Sequence, residues 1–175
     1  MGYWGYFVVG RDERSLAELD ALSDAGGMTL RRRAPGGWQV WEYPSGDGGI
    51  GNMNDLARET GAPALFGYVM DSASVVVEAA APVSGAWTTC LGRAAMAGHL
   101  GAGNGDGAGE EGAGLTLEDY FLEPDDAAAR AVAWAAEAGH EVNAESLIDV
   151  LTADADPLAE NLFFRLLDRL GVVPL

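Results

Sequence analysis

The chain has 175 residues and a formal net charge of −17 at pH 7, from 27 acidic residues against 10 arginines and no lysine. Hydrophobic residues make up 49% of the chain, which is enough for a packed core and argues against global disorder. A negative field of this size disfavours nucleic acid and anionic membranes as partners, and it favours a basic protein surface. The bias towards alanine, glycine and arginine is typical of a high-GC bacterium.

The acidic residues are unevenly distributed. Residues 1–100 carry 11 acids and 7 arginines, whereas residues 101–175 carry 16 acids and 3 arginines. The sequence therefore predicts a nearly neutral first half followed by a strongly anionic second half.

The start of the chain and its single cysteine restrict the class of protein. The apolar run Tyr3–Val9 follows no basic residue, and it is too short for a signal sequence or a membrane span. Cys90 stands alone, so the chain can form no internal disulfide and no multi-cysteine metal site. We expect a cytoplasmic protein that has no contact with a membrane.

Residues 1–100 show an alternation of strand and helix patterns. Aromatic and β-branched runs predict strands, and Ser15 with Glu18 forms a capping box that predicts the start of a helix. Ala34–Gly37 has the composition of a hairpin turn. The predicted elements, in chain order, are strand Tyr3–Val9, a helix from Ser15 to Gly26, strands Met28–Arg33 and Trp38–Tyr43, a helix opened by Asn52 and closed by Gly61, strands Leu65–Met70 and Ser74–Ala81, and a helix from Ala86 to Leu100.

This order of elements predicts an α+β fold. The pattern β-α-β-β-α-β-β-α suits an antiparallel or mixed sheet with helices on one face, as in ferredoxin-like folds. Residues 1–100 are predicted to form this sheet domain.

The remainder of the chain divides into a linker and an acidic three-helix segment. Residues 101–115 are rich in glycine and acid, which predicts a linker or mobile loop. Residues 116–175 are predicted to contain helices from Pro124 to Ala138, behind Asn143, and from Asp156 to Leu170. The last helix carries an apolar stripe that has to be buried against the other two helices or the sheet, so the segment can pack on the sheet domain as one unit.

The sequence assigns no catalytic residue, cofactor site or metal site. Cys90 and His99, placed on one helix nine residues apart, would lie on opposite faces. His99 and His140 have no second histidine at ligand spacing. The glycine-rich loop carries its own carboxylates, which would repel phosphate. The sequence leaves open whether the protein is an enzyme, although it favours a protein without catalytic activity.

The arginines offer a second kind of site. Arg31-Arg32-Arg33 is either an exposed edge that discourages pairing with other chains or a dock for carboxylates, and strand alternation would place Arg31 and Arg33 on one face. Arg58 and Arg93, together with Asp71 and Glu78, are candidate polar groups of a pocket between sheet and helices.

Aromatic residues mark the first and third predicted strands. Trp38 and Trp41 are three residues apart and are therefore expected on opposite faces of the sheet. The one outside the core is either a binding anchor or is covered by a loop.

The sequence favours a non-enzymatic acidic protein that binds a basic protein partner, such as an inhibitor or an immunity protein. Glu141, Glu145 and Asp149 are the candidate partner-binding residues, and Arg31, Arg33, Arg58 and Arg93 are candidate anion or pocket contacts. The alternative is a small-molecule-binding domain or small enzyme with a pocket between sheet and helices. The identity of the partner and the oligomeric state are left open.

Overall fold

A computed structural model describes residues 2–23, 25, 27–44, 50–103, 121–155 and 158–174, and the described strands form one six-stranded sheet. The strand order is β2-β3-β1-β4-β5-β6, and every neighbouring pair is antiparallel. The strands are β1 Gly5–Arg11, β2 Thr29–Ala34, β3 Trp38–Tyr43, β4 Ala64–Met70, β5 Ser74–Ala80 and β6 Trp87–Leu91.

Five α-helices lie within the described residues, so the predicted α+β class is confirmed. They are α1 Met53–Thr60, α2 Arg93–Gly103, α3 Pro124–Glu137, α4 Ala144–Thr152 and α5 Ala159–Leu170. Two short 3₁₀ helices, Leu16–Glu18 and Asp20–Leu22, connect β1 to β2.

The sheet is buried on both faces. In β1, Phe7 and Val9 belong to a first core that contains the apolar faces of α3, α4 and α5. Val8 belongs to a second core, which contains α1 and the leucines of the 3₁₀ helices. The sheet carries helices on both faces once the C-terminal segment is included, because side chains that alternate along β1 are apolar on both sides and each face needs a cover.

The helix expected from Ala86 to Leu100 begins later than predicted. Residues Trp87–Leu91 form β6, which pairs antiparallel with β5, and Gly92 at φ 67° separates this strand from α2. Aromatic and β-branched residues in this run suit a strand, and the edge of β5 supplies its partner. Cys90 and His99 consequently do not share a helix.

The helix expected from Ser15 is replaced by the two 3₁₀ helices. Leu16, Leu19 and Leu22 follow each other at intervals of three and are all at most 1% exposed. That interval matches the 3₁₀ period, and Leu19 interrupts the run with an extended backbone. Glu18 does accept a hydrogen bond from the Ser15 N–H at 3.3 Å, as in a capping box.

The asparagine caps, the glycine ends of α1 and α5 and the hairpin turn form where local residues predicted them, whereas α5 begins at Ala159 rather than at Asp156. The side chains of Asn52 and Asn143 accept hydrogen bonds at the starts of α1 and α4. Gly61 and Gly171 end α1 and α5 in the left-handed conformation. Gly36 adopts a positive φ of 88° in the turn between β2 and β3.

The predicted linker lies largely outside the described residues. Residues 101–103 form the end of α2, and residues 104–120 are not described. The division into a sheet domain and a helical segment stays a prediction, although both contribute side chains to the first core.

Helix α5 approaches the sheet closely at Gly67 of β4. A methyl group at this position would lie 2.5 Å from Cε1 and 2.6 Å from Cδ1 of Phe163, well inside van der Waals contact. The absence of a side chain at Gly67 therefore allows the phenyl ring to pack directly on the strand.

We predict that Gly67→Ala lowers the free energy of unfolding by about 1–3 kcal/mol, because the new methyl group overpacks the contact with Phe163. Gly98→Ala in α2 is the matched control, since a Cβ there meets nothing within 4 Å. Alanine at that helical position should raise stability by about 0.5–1 kcal/mol. Urea unfolding measures both changes, and a neutral Gly67→Ala would contradict the packing of α5 on β4.

Candidate functional site

The three predicted partner-binding carboxylates lie together on and beside α4. Glu145 and Asp149 are one helical turn apart, and Glu141 precedes the Asn143 cap. All three side chains are exposed, whereas Leu147, Val150 and Leu151 on the other side of α4 are buried in the first core. We call Glu141, Glu145 and Asp149 the α4 acidic surface.

Other carboxylates of the C-terminal helices hold the fold together. Glu137 accepts hydrogen bonds from the N–H groups of Val83 at 2.9 Å and Ser84 at 2.7 Å. Burial alone would raise the pKa of Glu137, but these hydrogen bonds bring it below its ordinary value. Glu160 accepts a hydrogen bond from the Ser72 hydroxyl at 3.0 Å. Glu137 and Glu160 are therefore engaged inside the protein.

Within the described residues, no ion pair neutralises the α4 acidic surface. The ion pair seen in the C-terminal helices joins Arg169 to Asp168 at 2.8 Å. Glu145 lies in the first turn of α4, where a negative charge is favourable. Asp149 lies beyond the first turn of α4 and gains nothing from the helix dipole. Its i,i+4 spacing from Glu145 makes the two carboxylates repel each other by about 0.2–0.5 kcal/mol. Helix stability therefore does not account for Asp149.

The three consecutive arginines of β2 point differently from the expected alternation. The register with β3 shifts between Leu30 and Arg32, which leaves Arg31 as an extra residue in a bulge. Arg31 forms an ion pair with Glu42 at 2.9 Å. Arg33 lies opposite Gln39. The side-chain oxygen of Gln39 accepts a hydrogen bond from the N–H of Leu16, a residue of the second core, so Gln39 and Arg33 face that core. Arg31 and Arg33 are thus on different faces, and the expectation that they share one is wrong.

The remaining candidate anion contacts also lie apart. Arg58 on α1 pairs with Asp55 at 3.2 Å, and Arg93 at the start of α2 donates to the Thr89 hydroxyl at 3.4 Å. Asp71 lies in the turn between β4 and β5, where its carboxylate accepts a hydrogen bond from the Gly2 N–H at 2.7 Å. These groups stand on different elements and do not converge.

Open grooves occur at the two ends of the sheet. One, of about 720 Å³, is lined by Arg11–Arg14, Gly36, Gly37 and Glu59–Ala62. Arg14 in this groove is already paired with Asp12 at 3.1 Å. A second groove, of about 500 Å³, includes Asp71 and the start of α5. Neither groove brings together two of the polar groups predicted for a pocket.

Cys90 is a core thiol of β6. It is 0% exposed, and burial raises its pKa to about 11, although the nearby Arg93 acts in the opposite direction. A thiol with this pKa carries almost no thiolate at neutral pH and is a poor nucleophile. In the part of the chain that the structure describes, no group of three or more His, Cys, Asp or Glu residues could hold a metal ion.

We predict that Cys90 resists disulfide reagents in the folded protein. Burial keeps the reagent away from the thiol and keeps the thiol protonated. Labelling at pH 8 should therefore proceed only as fast as the protein opens. The same reagent in a urea concentration that unfolds the protein should label one thiol per chain at once. Rapid stoichiometric labelling without denaturant would contradict the burial of this strand.

A row of aromatic side chains was not anticipated from the sequence. Tyr6 lies directly opposite Tyr43 on β3 and Tyr68 on β4. Its ring is stacked on both neighbours, with centroid distances of 6.2 Å and 4.4 Å respectively. We call Tyr43, Tyr6 and Tyr68 the tyrosine row. All three are half-buried, and each strand alone shows only one of them, so the row becomes visible only once the register is known.

The chain matches no protein-family model, and comparisons with curated proteins and with solved structures find no match either. Among the helices that the structure describes, none is both long enough and apolar enough to cross a membrane.

Proposed function

We propose that this chain is a non-enzymatic interaction protein that binds a basic protein partner through the α4 acidic surface. The observation that carries the proposal is an exposed, unneutralised set of carboxylates: Glu145 and Asp149 on a helix whose other side is buried in the core, and Glu141 just before it. A rigid support keeps the charges in place, so that little ordering is required when a partner binds.

The net charge of −17 supports the same proposal. Complementary potentials accelerate the encounter of a basic protein with an acidic one and disfavour wrong partners. Inhibitors and immunity proteins that neutralise basic toxins or nucleases bind them through acidic surfaces. We infer such a role for this chain in the cytoplasm of a high-GC bacterium.

We further infer that the first four strands form a ferredoxin-like unit. Its support is the order β2-β3-β1-β4, in which β3 lies between β1 and β2. The 3₁₀ helices and α1, which make the two connections, both pack in the second core. On this interpretation β5 and β6 extend the sheet beyond β4, and the C-terminal helices cover its other face and carry the acidic surface.

Charge reversal tests the proposed surface. We predict that Glu141→Arg, Glu145→Arg and Asp149→Arg together slow association with a basic partner, recovered from the source cell, by about tenfold or more at low salt. Exposed substitutions of this kind should change the free energy of unfolding little, by about 0.5 kcal/mol each. Stopped-flow association kinetics and thermal unfolding measure the two effects separately.

The matched control reverses three exposed carboxylates on other elements. Glu13→Arg, Asp20→Arg and Asp55→Arg change the net charge by the same amount and leave α4 intact. The control should lose much less of the association rate than the α4 variant. Equal losses would mean that only the overall field matters, and no loss in either variant would refute the proposed surface.

A further inference from the structure

We propose that Tyr68 and Glu78, at the end of the tyrosine row, form a binding site for the guanidinium group of an arginine side chain. The proposal rests on the proposed preference for basic partners, but it concerns a different surface and a specific chemical group.

The two residues share one face of the sheet. Tyr68 lies opposite Val76 of β5, and Phe66 lies opposite Glu78, so Glu78 is one diagonal step from Tyr68. Diagonal neighbours of this kind stand about 7–8 Å apart at their Cα atoms, within reach of long side chains. Val76, directly opposite Tyr68, lies on the same face as Tyr68 and Glu78, whereas Val77 points into the first core.

The aromatic half of the site is a stack with an ordered geometry. The Tyr6 ring is inclined by 29° to Tyr68 and by 28° to Tyr43, so it is stacked on both neighbours. Tyr6 is in the middle, which makes Tyr68 the last ring of the row on the β5 side. Trp4, which is 45% exposed, packs against Tyr68 with a centroid distance of 6.4 Å. Guanidinium groups stack on aromatic faces of this kind.

The anionic half of the site is the half-buried carboxylate of Glu78. It accepts a backbone hydrogen bond from Met53 at the start of α1, and none of the ion pairs among the described residues involves it. A carboxylate has about four lone-pair sites, so this hydrogen bond leaves room for a bidentate arginine. Glu78 is half-buried, and this loss of solvent around the charged form raises its pKa above the ordinary value.

The chemistry of the site favours arginine over lysine. A planar, weakly hydrated guanidinium can stack on Tyr68 and donate two hydrogen bonds to Glu78, whereas an ammonium group is a compact, strongly hydrated charge. Anionic ligands are disfavoured by Glu78 itself. The site therefore adds selectivity for arginine to the general attraction of the α4 acidic surface for positive charge.

Short peptides separate the two surfaces. We expect the wild-type protein to bind hexa-arginine amide more tightly than hexa-lysine amide in calorimetric titrations, and the tyrosine ring resonances to shift with the arginine peptide. Tyr68→Leu and Glu78→Gln should each reduce the affinity for hexa-arginine by about 2- to 30-fold, the range of a desolvated cation–aromatic or charged contact. Their affinity for hexa-lysine should change little.

Two controls make the result specific. Tyr68→Phe keeps the aromatic face and should keep the preference for arginine. Glu13→Gln removes one exposed charge elsewhere and should also keep it. Reversal of the α4 acidic surface should weaken both peptides alike and leave their ratio unchanged, so that this site and the proposed function can fail separately.

Equal wild-type affinity for the two peptides would overturn the proposal, as would an arginine preference that persists in Glu78→Gln and Tyr68→Leu. If Tyr68→Leu does not fold, Glu78→Gln decides the outcome together with the ring resonances of the wild-type protein. Resonances of Tyr6 and Tyr68 that stay fixed at saturating hexa-arginine would likewise refute the site.

Discussion

The central strand β1 is buried on both faces, and this burial determines where the helices have to pack. Its side chains alternate between two cores, and Val8 and Val9 are both fully buried. A sheet that is apolar on both sides has to be covered on both sides. The 3₁₀ helices and α1 cover one face, and α3, α4 and α5 cover the other. The C-terminal helices are therefore part of the hydrophobic core, and their outer sides remain for charge.

This constraint explains how a strongly acidic segment can be well folded. The apolar stripe of α5, including Phe163 and Leu166, lies against the sheet and fixes the orientation of the helices. Glu137 and Glu160 bind groups at the sheet ends, so part of the acidity has a structural role. The α4 acidic surface has no such internal role among the described residues, and the repulsion between Glu145 and Asp149 is tolerated. A surface that is rigid, exposed and of one sign is suited to recognise a partner of the opposite sign.

Local chemistry predicted the features that depend on a few adjacent residues. The caps at Asn52 and Asn143 and the β2–β3 turn need only short-range hydrogen bonds and glycine conformations, so the sequence shows them directly. The strand at Trp87–Leu91 depends on pairing with β5, and the bulge at Arg31 depends on the register with β3; neither partner is visible in the segment itself. The tyrosine row, for the same reason, could not be found before the strand order was known. The acids of the α4 acidic surface could be named from the sequence because they lie in the acid-rich part of the chain, but their exposure is known only from the structure.

Carbodiimide crosslinking to the basic partner identifies the carboxylates that lie at the interface. This reagent joins carboxylates to amines, and the chain contains no lysine. Apart from the amino terminus, every crosslink to a lysine must therefore reach the partner. We predict crosslinks at Glu141, Glu145 and Asp149, and their loss at high salt, because exposed charges are screened beyond about 3 Å at 1 M ionic strength. Crosslinks confined to carboxylates of the first half, such as Glu13 and Asp55, would contradict it.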